Sequence, residues 1–378
     1  VIYFNNAATT YPKPKPVIKA VTSCIEEVPE AQFRNNVDGY GSILSQCREN
    51  LARLFHIGEP DRIFFTSGAT EALNFIIRGL PFDGKHVVTT VTEHNSVLRP
   101  LSAFVPGWTG KDNEQVSVVN CNLTGKISVE EISKSIRNNT TAIFINHCSN
   151  VTGTVQDIQR ISEITRSRRI LLIVDASQSA GCINIDVEKT GIDILVFTGH
   201  KGLFGIPGTG GFYLRPGLDI EPLKYGGTGR DSHIIRLPSG YSEYEVGTMN
   251  IPGISALNSG VEYVLKHFDT IVAKERRLTT KLRSSLNKIE HVSVYSSLEN
   301  IFAPIVSFRI AGLSPSDLGY MLNAYGFVTR TGLHCSPLIH EALSTYPEGL
   351  VRVSLSCFNA EEEIDSLVRV ITEISESM

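Results

Sequence analysis

Short apolar runs alternate with amphipathic stretches along the first two thirds of the chain. Ile63-Phe64-Phe65-Thr66, Val87-Val88-Thr89-Thr90, Val116 to Val119, Ala142 to Ile145, Ile170 to Val174 and Ile194 to Phe197 are brief and rich in β-branched or aromatic residues. Each reads as a strand, and Ile194 to Phe197 as one buried on both faces. Between them apolar residues recur at helical spacing: Ala72 to Leu80, the stretch opened by Glu93-His94-Asn95, then Val129, Ile132 and Ile136, then Ile158, Ile161 and Ile164. Strand and helix in alternation predict an α/β fold, a mostly parallel sheet with helices on both faces. Residues 1–16, rich in Asn, Thr and Pro, are expected to be extended, with a first helix after Pro16. From about residue 260 the character changes. A long helical region to about 289 precedes strands at Val292–Val294 and Ile305–Ile310, a helix over 316–325, strand segments at Val328–Arg330 and Val351–Leu355, and a last helix carrying Ile364, Leu367, Val368 and Ile371. This part predicts a smaller α+β domain.

A mostly parallel sheet binds its ligand at the carboxyl ends of its strands. His94, Asn150, Asp175, Gln178, His200 and Lys201 all fall at or just after such ends. Lys201 follows the apolar run Ile194–Phe197 through Thr198-Gly199-His200, with Gly202, Gly205, Gly208, Gly210 and Gly211 after it. A lysine desolvated there has a lowered pKa and can form a Schiff base. Taken alone it reads equally well as a solvated loop lysine. Ser67-Gly68-Ala69-Thr70-Glu71 lies between a strand and a helix, where free N–H groups bind phosphate; an ordinary Ser–Glu cap is the alternative. Asp175 ends the most apolar strand, where a carboxylate needs a cation such as a protonated pyridine nitrogen, or else serves as a cap or internal ion pair. His94 could stack on a ring or sit in the core. Together, a phosphate end, an acid and a lysine in this order point to pyridoxal 5'-phosphate. The Gly205–Gly211 run precedes a strand and contains no GxGxxG, so it reads as a turn beside the cofactor.

Composition narrows the classes. A net charge of −4 over 378 residues, with no long basic cluster, argues against nucleic acid. No apolar run approaches a membrane span, and Val1-Ile2-Tyr3-Phe4-Asn5 lacks the pattern of a signal peptide. The cysteines, 7 in number and never spaced as CxxC, predict a reducing, cytoplasmic setting. Cys335 stands apart because Arg330, Gly332, His334 and Pro337 surround it, in a segment expected to be a loop. The other cysteines read as small buried hydrophobes. His334, Cys335 and His340 fit no common zinc spacing, so no metal is expected.

Ser-Gly-Ala-Thr-Glu at 67–71, Glu-His-Asn at 93–95, Ser-Asn-Val-Thr-Gly-Thr at 149–154, Val-Asp-Ala-Ser-Gln at 174–178 and Thr-Gly-His-Lys-Gly at 198–202 resemble the class V aminotransferase family along essentially the whole chain. Within it, Arg330-Thr331-Gly332-Leu333-His334-Cys335, Asn5-Asn6-Ala7-Ala8-Thr9-Thr10 and Val351-Arg352-Val353-Ser354 resemble the Suf-type cysteine desulfurases and selenocysteine lyases. The resemblance implies the fold type I architecture of pyridoxal phosphate enzymes, a seven-stranded sheet in a large domain of residues 14–260 and a small domain of 1–13 with 261–378. It implies that Lys201 carries the cofactor and moves the Cα proton, that Asp175 meets the pyridine nitrogen, Gln178 the ring hydroxyl and His94 the ring face. Ala69, Thr70, Thr198 and His200 hold the phosphate end, with Thr248 supplied by the neighbouring subunit of a homodimer. Asn150, Arg330 and Arg352 serve the substrate carboxylate, and Cys335 accepts the sulfur, its thiolate favoured by Arg330 or His334. The implied reaction converts L-cysteine to L-alanine and passes sulfur to an acceptor protein, as in iron–sulfur cluster assembly. Selenocysteine cleavage, transamination and cystine C–S cleavage are the alternatives. Asn5 stands where the family usually has aspartate, Ala69 where threonine is frequent and Leu333 where a second histidine is common. The segment Asn35-Asn36-Val37-Asp38-Gly39 lacks a basic residue often found there. These departures mark a divergent branch.

Overall fold

The computed structural model describes residues 1–26, 41–80, 85–227, 233–235 and 241–378. The segment Asn35 to Gly39 lies outside the described residues. The strands are β1 (Ile2–Tyr3), β2 (Ile63–Thr66), β3 (His86–Thr90), β4 (Val116–Val119), β5 (Thr140–Asn146), β6 (Leu171–Asp175), β7 (Ile194–Thr198), β8 (Gly210–Leu214), β9 (Val292–Tyr295), β10 (Ile305–Ile310), β11 (Phe327–Val328), β12 (Arg330–Gly332) and β13 (Leu350–Ser354).

A 7-stranded sheet runs in the order β2-β8-β7-β6-β5-β3-β4. The steps from β7 through β6, β5 and β3 to β4 are all parallel. β8 is antiparallel to both β7 and β2. Two reversals restore direction, so β2 ends at the same rim as β3, β5, β6 and β7. Successive side chains of a strand point to opposite faces. Leu172, Val174, Leu195 and Phe197 therefore enter one buried core, and Ile173, Ile194 and Val196 enter the other. With both faces covered, no position is left for alternation with polar residues, which is why these strands read as continuous apolar runs. Each fully buried side chain of this kind contributes about 1.5–3 kcal/mol.

A 4-stranded antiparallel sheet, β12-β13-β10-β9, forms a further layer. Its core joins Val306, Phe308, Val351 and Val353 to Ile364, Leu367 and Ile371 of the helix Glu361–Glu376. β1 pairs in parallel with β11, and Phe4 enters this same core. The helix Ile251–Leu286 serves both bodies: Ile254, Leu257 and Val261 pack in the large core, Leu278, Leu282 and Leu286 in the small one. It begins well before residue 260. Asn250 caps it through Oδ1, which accepts from the Gly253 amide at 3.1 Å. Gly253 and Gly260 hide this start in the sequence because glycine weakens helical patterns. Packing requires the second: a Cβ at Gly260 would stand 2.2 Å from the Leu203 carbonyl oxygen, just past Lys201.

Among the described residues, no helix is long and apolar enough to cross a membrane.

Candidate active site

Register brings the rim together. Asn146 of β5 lies beside Asp175 of β6, and Asp175 beside Val196 of β7. The segments that follow these strands line a cavity of about 350 Å³ that takes in Ala69, Thr70, His94, Asn150, Asp175, Gln178, Thr198, His200, Lys201, Arg330, Cys335 and Arg352. Of the expected site residues, only Thr248 is elsewhere. It lines a neighbouring hollow that shares Ser67, Glu71 and Gly208 with the cavity wall.

One end of the cavity is built from backbone. The helix Ala69–Gly79 starts at Gly68, whose φ of 153° suits glycine, and no side chain caps it. Helix geometry leaves its first N–H groups without intrahelical partners. Glu71 turns back instead, its Oε2 accepting from the Ser67 amide at 2.7 Å. Gly210 of β8 presses on this turn: a Cβ there would stand 2.6 Å from Cα of Gly68 and 2.8 Å from the Phe197 carbonyl oxygen. Gly210→Ala is therefore expected to cost about 1–3 kcal/mol by overpacking, read as a lower urea midpoint, and to displace the turn. Ala69 offers no side-chain donor. His200 also lines this cavity, and its Nδ1 is buried without a partner among the described residues. Burial, aided by Lys201 and Lys13, lowers its pKa to about 4, so the ring is neutral.

The N-terminal segment fixes the lysine turn. The His200 carbonyl accepts from the Thr10 amide at 3.0 Å, Thr9 Oγ1 at 3.1 Å and Lys13 Nζ at 2.8 Å. The Lys201 carbonyl accepts from Thr10 Oγ1 at 2.8 Å. Motif reading singles out Asn5 to Thr10 but misses Lys13; its place between Pro12 and Pro14 is the only local signal. Burial lowers the Lys201 amine to about 8, against the opposing pull of Asp175. Asp175 Oδ1 accepts from the Ser177 amide at 2.8 Å and from its hydroxyl. Gln178 Nε2 donates to the Ala7 carbonyl at 3.0 Å.

His94 caps the helix Asn95–Phe104. Its Nδ1 accepts from the Ser96 amide at 3.0 Å. Burial foremost, then Lys201, lowers its pKa to about 4. A neutral ring accepting at Nδ1 carries its hydrogen on Nε2. Glu93, the first residue of the Glu-His-Asn motif, was assigned no role from the sequence. It is fully buried, and its Oε1 accepts from the Asn146 amide at 2.9 Å and Thr90 Oγ1 at 2.8 Å. Burial raises its pKa to about 8.

The far end belongs to the small sheet. Arg330 and Arg352 face each other across β12 and β13. Arg352 donates from Nη1 to the Asn150 carbonyl at 2.9 Å and from Nη2 to Asn5 Oδ1 at 3.2 Å, while its Nε is buried and unpartnered among the described residues. Asn5, an amide where the resemblance leads one to expect an acid, thus meets this cation with a neutral oxygen. Asn150 Nδ2 donates to the His334 carbonyl at 2.7 Å, and its Oδ1 accepts from Ser336 Oγ at 2.8 Å.

Cys335 sits in a tight turn between β12 and the helix Pro337–Ala342, not in an extended loop. Arg330 Nη2 approaches its Sγ at 3.8 Å. His334, considered with Arg330 as a tuner of the thiol, is not a cation here. Burial first, then Arg352, holds its pKa well below the usual range, and its ring packs on His340 at 5.6 Å between centroids. Among the other cysteines, Cys47 and Cys148 are fully buried, whereas Cys24, Cys121, Cys182 and Cys357 are half-buried. Burial raises Cys121 to about 11 and Cys148 and Cys357 to about 12, and it raises Cys47 and Cys182 as well.

Known proteins are similar to this chain in sequence and in fold. A probable cysteine desulfurase of Methanothermobacter thermautotrophicus is 30% identical over 98% of this chain and 94% of its own length. The cysteine desulfurase IscS of Methanosarcina thermophila is 29% identical over 100% of this chain and 92% of its own. The apo structure of a cysteine desulfurase from Thermococcus onnurineus NA1 superposes with a TM-score of 0.89 at 26% identity, covering 100% of this chain and 95% of that one. The aminotransferase class-V model matches residues 2–367, so the chain belongs to the aminotransferase class-V family, whose members in general use pyridoxal phosphate.

Proposed function

We propose that the protein is a pyridoxal phosphate-dependent cysteine desulfurase that converts L-cysteine to L-alanine and leaves the sulfur on Cys335. The observation that carries this reading is the thiol of Cys335 lining the same cavity as Lys201, with a guanidinium 3.8 Å away.

The residues fit the cofactor. The uncapped helix start at Gly68–Thr70, Thr198 and the unpartnered Nδ1 of His200 would hold the phosphate. Asp175 would meet the ring nitrogen, Gln178 the ring hydroxyl and His94 a ring face. Thr248 would serve the site of a second copy in a homodimer. Bound pyridoxal phosphate supplies an electron sink for charge developing at the substrate Cα. Lys201, its amine lowered to about 8, would take the Cα proton at Nζ. Arg352, whose Nε is unpartnered, would take the substrate carboxylate, with Arg330 and Asn150 beside it. Cys335 Sγ attacks the substrate sulfur; the S–S bond forms as the substrate Cβ–S bond breaks, and the pair left on Cβ takes a proton. The products are alanine and a persulfide, from which an acceptor thiol removes the outer sulfur. A cytoplasmic setting and a sulfur-acceptor protein, as in iron–sulfur cluster assembly, belong to this reading.

The test supplies the holoenzyme with L-cysteine and a thiol reductant. Alanine and sulfide in equal amounts are expected. Pyruvate with ammonia in place of alanine would overturn the desulfurase reading in favour of β-elimination.

A further inference from the structure

Cys335 is held from both sides by one side chain. Asn150 donates from Nδ2 to the carbonyl of His334 at 2.7 Å and accepts at Oδ1 from Ser336 Oγ at 2.8 Å. The backbone carbonyl of Asn150 receives Arg352 Nη1 at 2.9 Å. A fourth contact, from the Asn95 amide to the Cys335 carbonyl at 2.7 Å, ties the turn to the helix that His94 caps.

The turn needs holding. His334 and Cys335 have φ of 51° and 60°, a left-handed pair that side-chain-bearing residues keep only where their surroundings enforce it. Asn150, Ser336 and His334 are all buried, with 6%, 0% and 4% exposure. A broken bond among them would leave a buried polar group unmet.

We infer that Asn150 is the positioning residue of the reactive thiol: its side chain holds the Cys335 turn while its backbone carbonyl holds Arg352, fixing the distance between the carboxylate site and the attacking sulfur. This rests on the desulfurase reading above, and it gives Asn150 a duty beyond its place beside the substrate carboxylate. One of its Nδ2 hydrogens goes to His334 and its Oδ1 to Ser336, so its orientation is set before any substrate arrives.

The test compares holoenzymes of the wild type, Asn150→Ala and Ser336→Ala. Ser336 lies outside the cavity lining, so its variant loosens the turn without touching the carboxylate site. Three readouts are taken: hydrogen–deuterium exchange of the peptide spanning 330–340, affinity for L-alanine by titration of the cofactor's absorbance, and kcat for alanine formation. In both variants, exchange about tenfold faster and kcat about tenfold lower are expected, with L-alanine affinity within about twofold of wild type in Ser336→Ala. Unchanged exchange in both variants would overturn the inference. So would lost L-alanine affinity in Asn150→Ala beside a Ser336→Ala indistinguishable from wild type, because Asn150 would then be a carboxylate ligand only. If Asn150→Ala does not fold, the serine variant decides alone. Exchange and L-alanine affinity need no turnover. A wild type that makes no alanine from cysteine therefore fails the function while these two readouts still decide the clamp.

Discussion

Lys201→Ala is expected to lower alanine formation from L-cysteine by about 10⁴-fold or more, since it removes both the covalent anchor and the general base. Lys201→Arg should do no better, because a guanidinium stays protonated. The wild-type amine makes a sharper claim. Burial lowers it to about 8, so it is protonated below that pH and neutral above it. The rate at which cofactor-free protein takes up pyridoxal phosphate into a covalent complex should therefore rise with pH and reach half its maximum near 8. A midpoint above about 10, the range of a solvated lysine, would mean that the turn does not desolvate the amine. The four hydrogen bonds that Thr9, Thr10 and Lys13 make to the carbonyls of His200 and Lys201 are what hold it there.

How much of this was legible depends on the range of each contact. The parallel sheet was legible because burial on both faces removes polar residues from strands such as Leu171–Asp175 and Ile194–Thr198. The rim was legible because strand ends in a parallel sheet share one side, so His94, Asp175 and Lys201 could be placed together from order alone. The start of the helix Ile251–Leu286 was not, since Gly253 and Gly260 weaken its pattern for the sake of close packing. The Cys335 segment looked like a loop because glycine and proline flank it. Gly332 ends a strand and Pro337 opens a helix, with only the turn between. Its restraints come from Asn95 and Asn150, far away in sequence, and no local pattern encodes them. The charged neighbour of its thiol was open between two residues. Arg330 reaches Sγ at 3.8 Å, while His334 is buried and neutral and packs its ring on His340.

Cys335→Ala is expected to reduce alanine formation from L-cysteine by about 10³-fold or more, as removal of a nucleophile does. It should leave cofactor binding and L-alanine affinity unchanged, because Lys201, Asp175 and Arg352 keep their places. The reason for so selective a loss is positional. No other thiol lines the cavity except Cys148, which is buried and raised to about 12, and a protonated thiol is a poor nucleophile. Nor can water replace it, because the attack must fall on sulfur and leave a carrier for it. Arg330→Leu should fall between, losing about tenfold in kcat, since it removes the positive charge 3.8 Å from Sγ but not the sulfur itself. Persulfide on residue 335, detected by mass spectrometry after a single turnover with substoichiometric L-cysteine, separates the steps. It should be present in the wild type, reduced in Arg330→Leu and absent in Cys335→Ala. Full turnover of cysteine by Cys335→Ala, with sulfur released directly and no modified cysteine anywhere in the chain, would transfer the chemistry to the cofactor and Lys201 alone and make the enzyme a lyase.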